Sequence, residues 1–82
     1  MINFSEIQQL IARALNLDPE EITRTSKKSE ILNWDSLGQI SIVTTIESRF
    51  KIEMTDTEVF SFSTTIELCE ILEKYGIFIE NK

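Results

Sequence analysis

Asp35-Ser36-Leu37-Gly38-Gln39-Ile40-Ser41-Ile42-Val43-Thr44-Thr45-Ile46-Glu47-Ser48-Arg49-Phe50 is the most clearly patterned stretch of this chain. Leu37, Ile40, Val43, Ile46 and Phe50 recur at spacings of three and four, and Ile42 widens the stripe. That period is one face of an α-helix. Asp35 is a good N-cap residue because its carboxylate accepts from a first-turn N–H, so the helix is placed over Ser36 to Phe50. Lys51, just past the last turn, sets positive charge at the negative end of the helix dipole. On this reading Leu37, Val43 and Ile46 point into the core. Ser36, the first helical residue, faces outward from a firm support.

Upstream, Phe4, Ile7, Leu10, Ile11, Ala14 and Leu15 give a helix from Asn3 to Leu15, with Asn3 and Glu6 in a capping-box pattern. Asn16-Leu17-Asp18-Pro19 ends it, since proline disfavours helical geometry in the residue before it. Periodicity fades from Glu20 to Asn33, a connection of unusual length for a compact domain. Ile22, Ile31 and Leu32 are expected to pin this segment onto the helices, around a short helical turn. Downstream, Thr55 and Glu58 form another capping-box pattern for a short helix to about Phe60. Thr64 caps a last helix carrying Ile66, Cys69, Leu72 and Tyr75, and Gly76 occupies the left-handed position that ends it. Leu72 belongs to the expected core. Ile77 to Ile79 alone resembles a strand, but it is short and shows no partner. The fold class is all-α: a four-helix bundle of three longer helices and one short one, with a long first loop.

Eighty-two residues support one domain, read as spanning 1–82, and at this size folding hides only roughly 60–65% of the unfolded surface. A deep, walled active site is not expected. Eight basic against fourteen acidic residues give a net charge of −6. Nucleic-acid binding needs basic clusters, and Lys27-Lys28 is the one adjacent pair, so neither nucleic acid nor an anionic membrane is an expected partner. The apolar runs are far shorter than the ~20 residues that span a bilayer. The N-terminus lacks the blocks of a signal peptide, and the chain is read as cytoplasmic. Cys69 is the single cysteine and there is no histidine, which removes an internal disulfide, a serine–histidine pair and the usual metal-ligand sets. Gly38 and Gly76 are isolated, so no phosphate loop forms. The composition points to a protein that is acted upon rather than an enzyme.

Asp35-Ser36-Leu37 places a hydroxyl at the positive end of a helix, where a phosphate is well received. Taken alone, Asp-Ser is also one of the commonest ways to begin a helix. The wider register, Asn33-Trp34-Asp35-Ser36-Leu37 followed by Ile40, Ile42-Val43, Ile46-Glu47, Phe50, Ile52, Glu53, Asp56, Glu58, Phe62, Thr64 and Leu68, resembles the acyl carrier protein family over nearly the whole chain.

The resemblance implies an acyl-carrier-like bundle whose Ser36 receives 4′-phosphopantetheine from coenzyme A. Asp35 and Leu37 would be the motif flanks that present Ser36 to a phosphopantetheinyl transferase. It also implies a loading ligase for acyl or aminoacyl groups, a downstream transferase or synthase, and a monomeric carrier. Partner contacts fall on Trp34, Ile40, Thr44, Glu47, Glu53 and Asp56. Trp34 is either a partner contact or a residue packed over the loop, and Ile40 is either docking face or core. Glu53, Asp56 and Glu58 are most simply solvated charges and capping groups, and Cys69 a small core residue. The alternative is a carrier-like interaction module that is never loaded. Carriers of fatty-acid synthesis usually have Gly-x before Asp-Ser-Leu and several acids along the second helix. Here Asn33 replaces that glycine, while Gly38, Gln39, Ser41 and Ser48 take positions often acidic there, leaving Glu47 the only acid from Ser36 to Phe50. Trp-Asp-Ser-Leu is more similar to stand-alone carriers of polysaccharide, polyketide or aminoacyl-transfer pathways.

Overall fold

A computed structural model describes residues 1–80. Among them are four α-helices: α1 over Phe4–Leu15, α2 over Ser36–Phe50, α3 over Asp56–Ser61 and α4 over Thr65–Lys74. The all-helical expectation holds, with three longer helices and one short one. The termini of these helices follow from side chains. Asp35 Oδ1 accepts the Gly38 N–H at 2.9 Å. Thr55 Oγ1 accepts the Glu58 N–H at 3.2 Å while Glu58 accepts the Thr55 N–H at 2.9 Å, completing the capping box. Thr64 Oγ1 accepts the Glu67 N–H at 3.1 Å. Gly76, at φ +81°, closes α4 with its own N–H on Glu73 O and the Ile77 N–H on Leu72 O, a Schellman pattern. The Asn3–Glu6 capping box does not form, because Glu6 instead accepts from Arg49 Nη2 at 2.8 Å.

The long connection from α1 to α2 is fastened by backbone pairing. It carries two short 3-10 turns, Pro19–Glu21 and Lys28–Glu30. Ile22 is buried, and its carbonyl accepts from Gln8 Nε2 at 2.7 Å. Ser26 O accepts the Thr65 N–H and Ser63 O accepts the Lys28 N–H, so the loop is laced to the α3–α4 junction. Ile31 is half-buried as expected. Leu32 pins nothing, since it lies 71% exposed. Ile77 to Ile79 also departs from expectation: Ile79 bridges Ile2 in parallel, through Ile2 N–H to Phe78 O and Glu80 N–H to Ile2 O, tying the two ends of the described chain together.

The core lies where Ile7, Ile11 and Leu15 of α1 meet Ile42, Val43 and Ile46 of α2, closed below by Leu68 and Leu72 of α4. Leu37 is not part of it. The inward face of α2 runs through Gly38, Gln39, Ile42, Val43 and Ile46, which leaves Leu37 on the opposite side at 80% exposure. Leu37→Ala therefore changes the free energy of unfolding by no more than about 0.5 kcal/mol, as for other exposed sites. The same truncation at fully buried Ile46 costs at least about 2 kcal/mol. Chemical denaturation of the two variants checks this, and equal losses would return Leu37 to the core.

The short helix α3 contains no fully buried residue and is held by clasps. At its start the Tyr75 hydroxyl donates to the Glu58 carboxylate, and also to Glu53 O at 3.2 Å. That hydroxyl holds the Glu58 carboxyl below its usual pKa, and the same bond raises Tyr75 above the usual phenol value. A carboxyl with a lower pKa folded than unfolded stabilises the fold fully above its ordinary value, and the gain is lost as pH falls through the lowered one. Carbon-detected NMR titration should accordingly find Glu58 below the ordinary glutamate range, with the amides of α3 losing exchange protection before those of α2 as acid is added. A Glu58 that titrates like an unbonded glutamate would remove the clasp.

Candidate attachment site

The serine at the start of α2 is held by residues that precede it. Asn33 takes the left-handed conformation, φ +69°, which asparagine tolerates better than most residues when glycine is replaced. Its Nδ2 donates to Leu15 O at 2.9 Å and anchors the loop to the end of α1. Trp34 is buried at 3% exposure, its Nε1–H donating to Gln39 Oε1 at 2.7 Å and its ring tilted against Phe62 at 6.3 Å. Of its two readings, packing is the one observed: at 3% exposure Trp34 presents almost no surface for a partner to contact.

Asp35 then begins the helix. Its Oδ1 takes the Gly38 N–H and its carbonyl takes the Gln39 N–H at 2.8 Å. Ser36 and Leu37 are exposed, and the Ser36 hydroxyl makes no hydrogen bond among the described residues. The first-turn N–H groups of an α-helix that no cap takes remain open to an anion. An outward hydroxyl without a competing partner, on a buried footing, fits a phosphodiester link: a bulky, charged group attached here displaces nothing.

The other sequence-selected residues distribute along and beside α2. Ile40, 41% exposed, sits at the edge of the outer face and is not a core residue. Thr44 is exposed on the same face. Glu47 is half-buried and accepts the Met54 N–H at 2.9 Å, so it fastens the α2–α3 connection. Glu53 in that connection and Asp56 at the first turn of α3 are exposed. Cys69 is half-buried against the core, and burial pushes its thiol pKa up.

Two positions read as lost surface acids are not on the surface. Gly38 is buried against Asn33 O and Leu15, and Gln39 is 1% exposed. Only Ser41 and Ser48 of that set face outward. Gln39 is the residue that sequence reasoning missed. Besides accepting from Trp34 it donates through Nε2 to Val59 O at 2.9 Å and Phe62 O at 3.0 Å, joining loop, α2 and α3 in one buried junction.

Comparison with known proteins agrees with this geometry. The family described as a phosphopantetheine attachment site matches residues 5–72. The chain is 30% identical over 76 residues to an acyl carrier protein of Campylobacter curvus, covering 93% of this chain and 99% of that one. It is 33% identical to an acyl carrier protein of Wolinella succinogenes over 89% of this chain and 96% of that one. To an acyl carrier protein of Buchnera aphidicola it is 34% identical, over 85% and 90% of the two chains. Among the described residues no helix is long and apolar enough to cross a membrane. An outward serine on a capped helix, in a bundle matched along most of its length, places the chain in the acyl carrier protein family, whose members carry covalent 4′-phosphopantetheine and serve partner enzymes.

Proposed function

We propose that Ser36 is the residue that carries 4′-phosphopantetheine, with the unpartnered, outward Ser36 hydroxyl at the first position of α2 as the observation that supports it. When bound, the group supplies a terminal thiol that holds acyl or aminoacyl units as thioesters. The chain's own part is presentation. Asp35 fixes the helix start, the Trp34–Gln39 pair keeps the preceding loop rigid, and Leu37 offers an exposed apolar side chain beside the serine. Ile40, Thr44, Glu47, Glu53 and Asp56 form the surroundings on which partners dock, Glu47 by bracing the α2–α3 connection. The partners are a phosphopantetheinyl transferase, a loading ligase and a downstream transferase or synthase. The carrier acts as a single domain over 1–82, as a monomer, in the cytoplasm, in a specialised pathway.

Incubation with coenzyme A and a broad-specificity transferase, followed by intact-mass measurement, tests this. The expected result is a full gain of one phosphopantetheine, absent in Ser36→Ala, whose unfolding free energy stays within about 0.5 kcal/mol of the parent's. No gain with an active transferase would favour the unloaded interaction module.

A further inference from the structure

We infer that Gln39 closes the interior of this bundle to cargo, so that the unit carried on the arm stays in solvent and is short or polar rather than a long alkyl chain. The inference rests on Ser36 as the attachment residue. A long alkyl chain tethered there gains by leaving water, and the nearest core is the one beside the start of α2. The first inward positions of that helix, Gly38 and Gln39, flank the two ways in.

On the α1 side there is no room. A single methyl at Gly38 would stand 2.1 Å from Asn33 O and 2.8 Å from Leu15 Cδ2, so loop backbone and α1 side chain already fill that gap. On the α3 side the gap is filled by a polar clasp. The buried Gln39 accepts from Trp34 Nε1 at 2.7 Å, and donates through Nε2 to Val59 O at 2.9 Å and to Phe62 O at 3.0 Å. The buried rings of Trp34 and Phe62 stand against each other beside it. Behind this wall Ile42, Val43 and Leu68 are already packed in the core.

An apolar side chain at position 39 could turn aside for a guest, because apolar contacts have no fixed direction. Gln39 cannot, because hydrogen bonds are directional and it is bonded both to the loop and to the α3 end. An alkyl chain that displaced it would bring no donor or acceptor for the groups it stripped. Each buried polar group left unpaired cancels the gain from one to several buried methylenes. Exclusion of long chains leaves cargo that water itself solvates: acyl units of a few carbons, or units bearing an amine, hydroxyl or carboxyl group.

The full chain is loaded from octanoyl coenzyme A and, separately, from acetyl coenzyme A by a broad-specificity phosphopantetheinyl transferase. Thioester cleavage by hydroxylamine, the denaturant midpoint and the Trp34 indole N–H resonance are then read. The octanoyl thioester on the parent should cleave within about twofold of octanoyl coenzyme A itself, since protection scales with the fraction of time the group is enclosed. The octanoyl and acetyl forms should share one midpoint and one indole resonance. Gln39→Ala removes the clasp and opens space, and its octanoyl form should cleave about tenfold more slowly than octanoyl coenzyme A and raise the midpoint over its acetyl form. Should that variant not fold, Trp34→Phe, which removes one bond of the clasp and part of the ring volume, takes its place with the same direction of change. An octanoyl parent that is protected tenfold, or has a raised midpoint and a shifted indole resonance, overturns the proposal. A folded variant that gains no protection overturns the part given to Gln39. Loading that fails outright, or persists in Ser36→Ala, overturns instead the attachment reading beneath it.

Discussion

Replacing Gln39 with leucine lowers the free energy of unfolding by roughly 3–6 kcal/mol, out of the ~4–12 kcal/mol that a domain of this length possesses. The volume hardly changes, so cavity formation contributes little. The loss comes from two polar groups left without partners in the interior, the Trp34 indole N–H and the Phe62 carbonyl, and a third, the Val59 carbonyl, at its half-buried edge. Each such orphan costs about 1–3 kcal/mol. Leucine recovers part of this by its own burial, which sets the range below the simple sum. Gln39→Glu is the sharper comparison. It keeps the shape and the acceptor for Trp34, but directs a carboxylate at two carbonyl oxygens, so it should be at its worst near neutral pH and improve on mild acidification, when protonation restores one donor. Denaturant midpoints of both variants across pH measure the effect. A Gln39→Leu midpoint equal to the parent's would mean that the junction is solvated, contrary to its burial.

Gln39 also marks where the sequence stopped being legible. Local signals read correctly because their physics is local: Asp35, Thr55 and Thr64 satisfy N–H groups three residues away, and Gly76 needs only its own φ. The direction of α2 was another matter. Apolar residues lie on several sides of that helix, and counting them favoured a stripe through Leu37, whereas the true inward face includes a glutamine and a glycine. Hydropathy gives no weight to a side chain buried for its hydrogen bonds. Trp34 was undecidable for the same reason, since its burial depends on Gln39 and Phe62 arriving from other elements. Glu6 chose Arg49, 43 residues on, over its local cap, and Ile2 meets Ile79 across the whole described chain. Such pairings are set by the assembled bundle. The Asp18–Glu21 pattern, by contrast, is local: Glu21 accepts the Asp18 N–H at 3.1 Å and shapes the first turn of the loop. The place of Ser36 at the first position of α2 needed only the Asp35 cap to be read.

Gly38→Ala should destabilise the protein and slow its loading, against the trend for helix interiors. Propensity alone favours alanine by about 1 kcal/mol. The added Cβ, however, would stand 2.1 Å from Asn33 O and 2.8 Å from Leu15 Cδ2. The leucine methyl can rotate away, but the carbonyl belongs to a residue at φ +69° whose side chain is bonded to Leu15 O. Clearing the contact requires turning the peptide between Asn33 and Trp34, the loop that carries Ser36. Overpacking of this kind costs about 1–3 kcal/mol and occasionally more, and a backbone obstacle sets it near the top of that range. The net loss is then roughly 2 kcal/mol, and Gly38→Asp, which adds a buried charge facing the same carbonyl, loses more. Gly76→Ala is the control. Its φ of +81° makes alanine strained there, but nothing lies within 4 Å of the new Cβ, so stability falls by about 1 kcal/mol while loading is untouched. Denaturation together with transferase kcat/KM separates the two glycines: both variants lose stability, and only Gly38→Ala also loses rate. A Gly38→Ala protein that is more stable than the parent would show that the Asn33 peptide turns freely, and that the start of α2 is not held as rigidly as a presented serine requires.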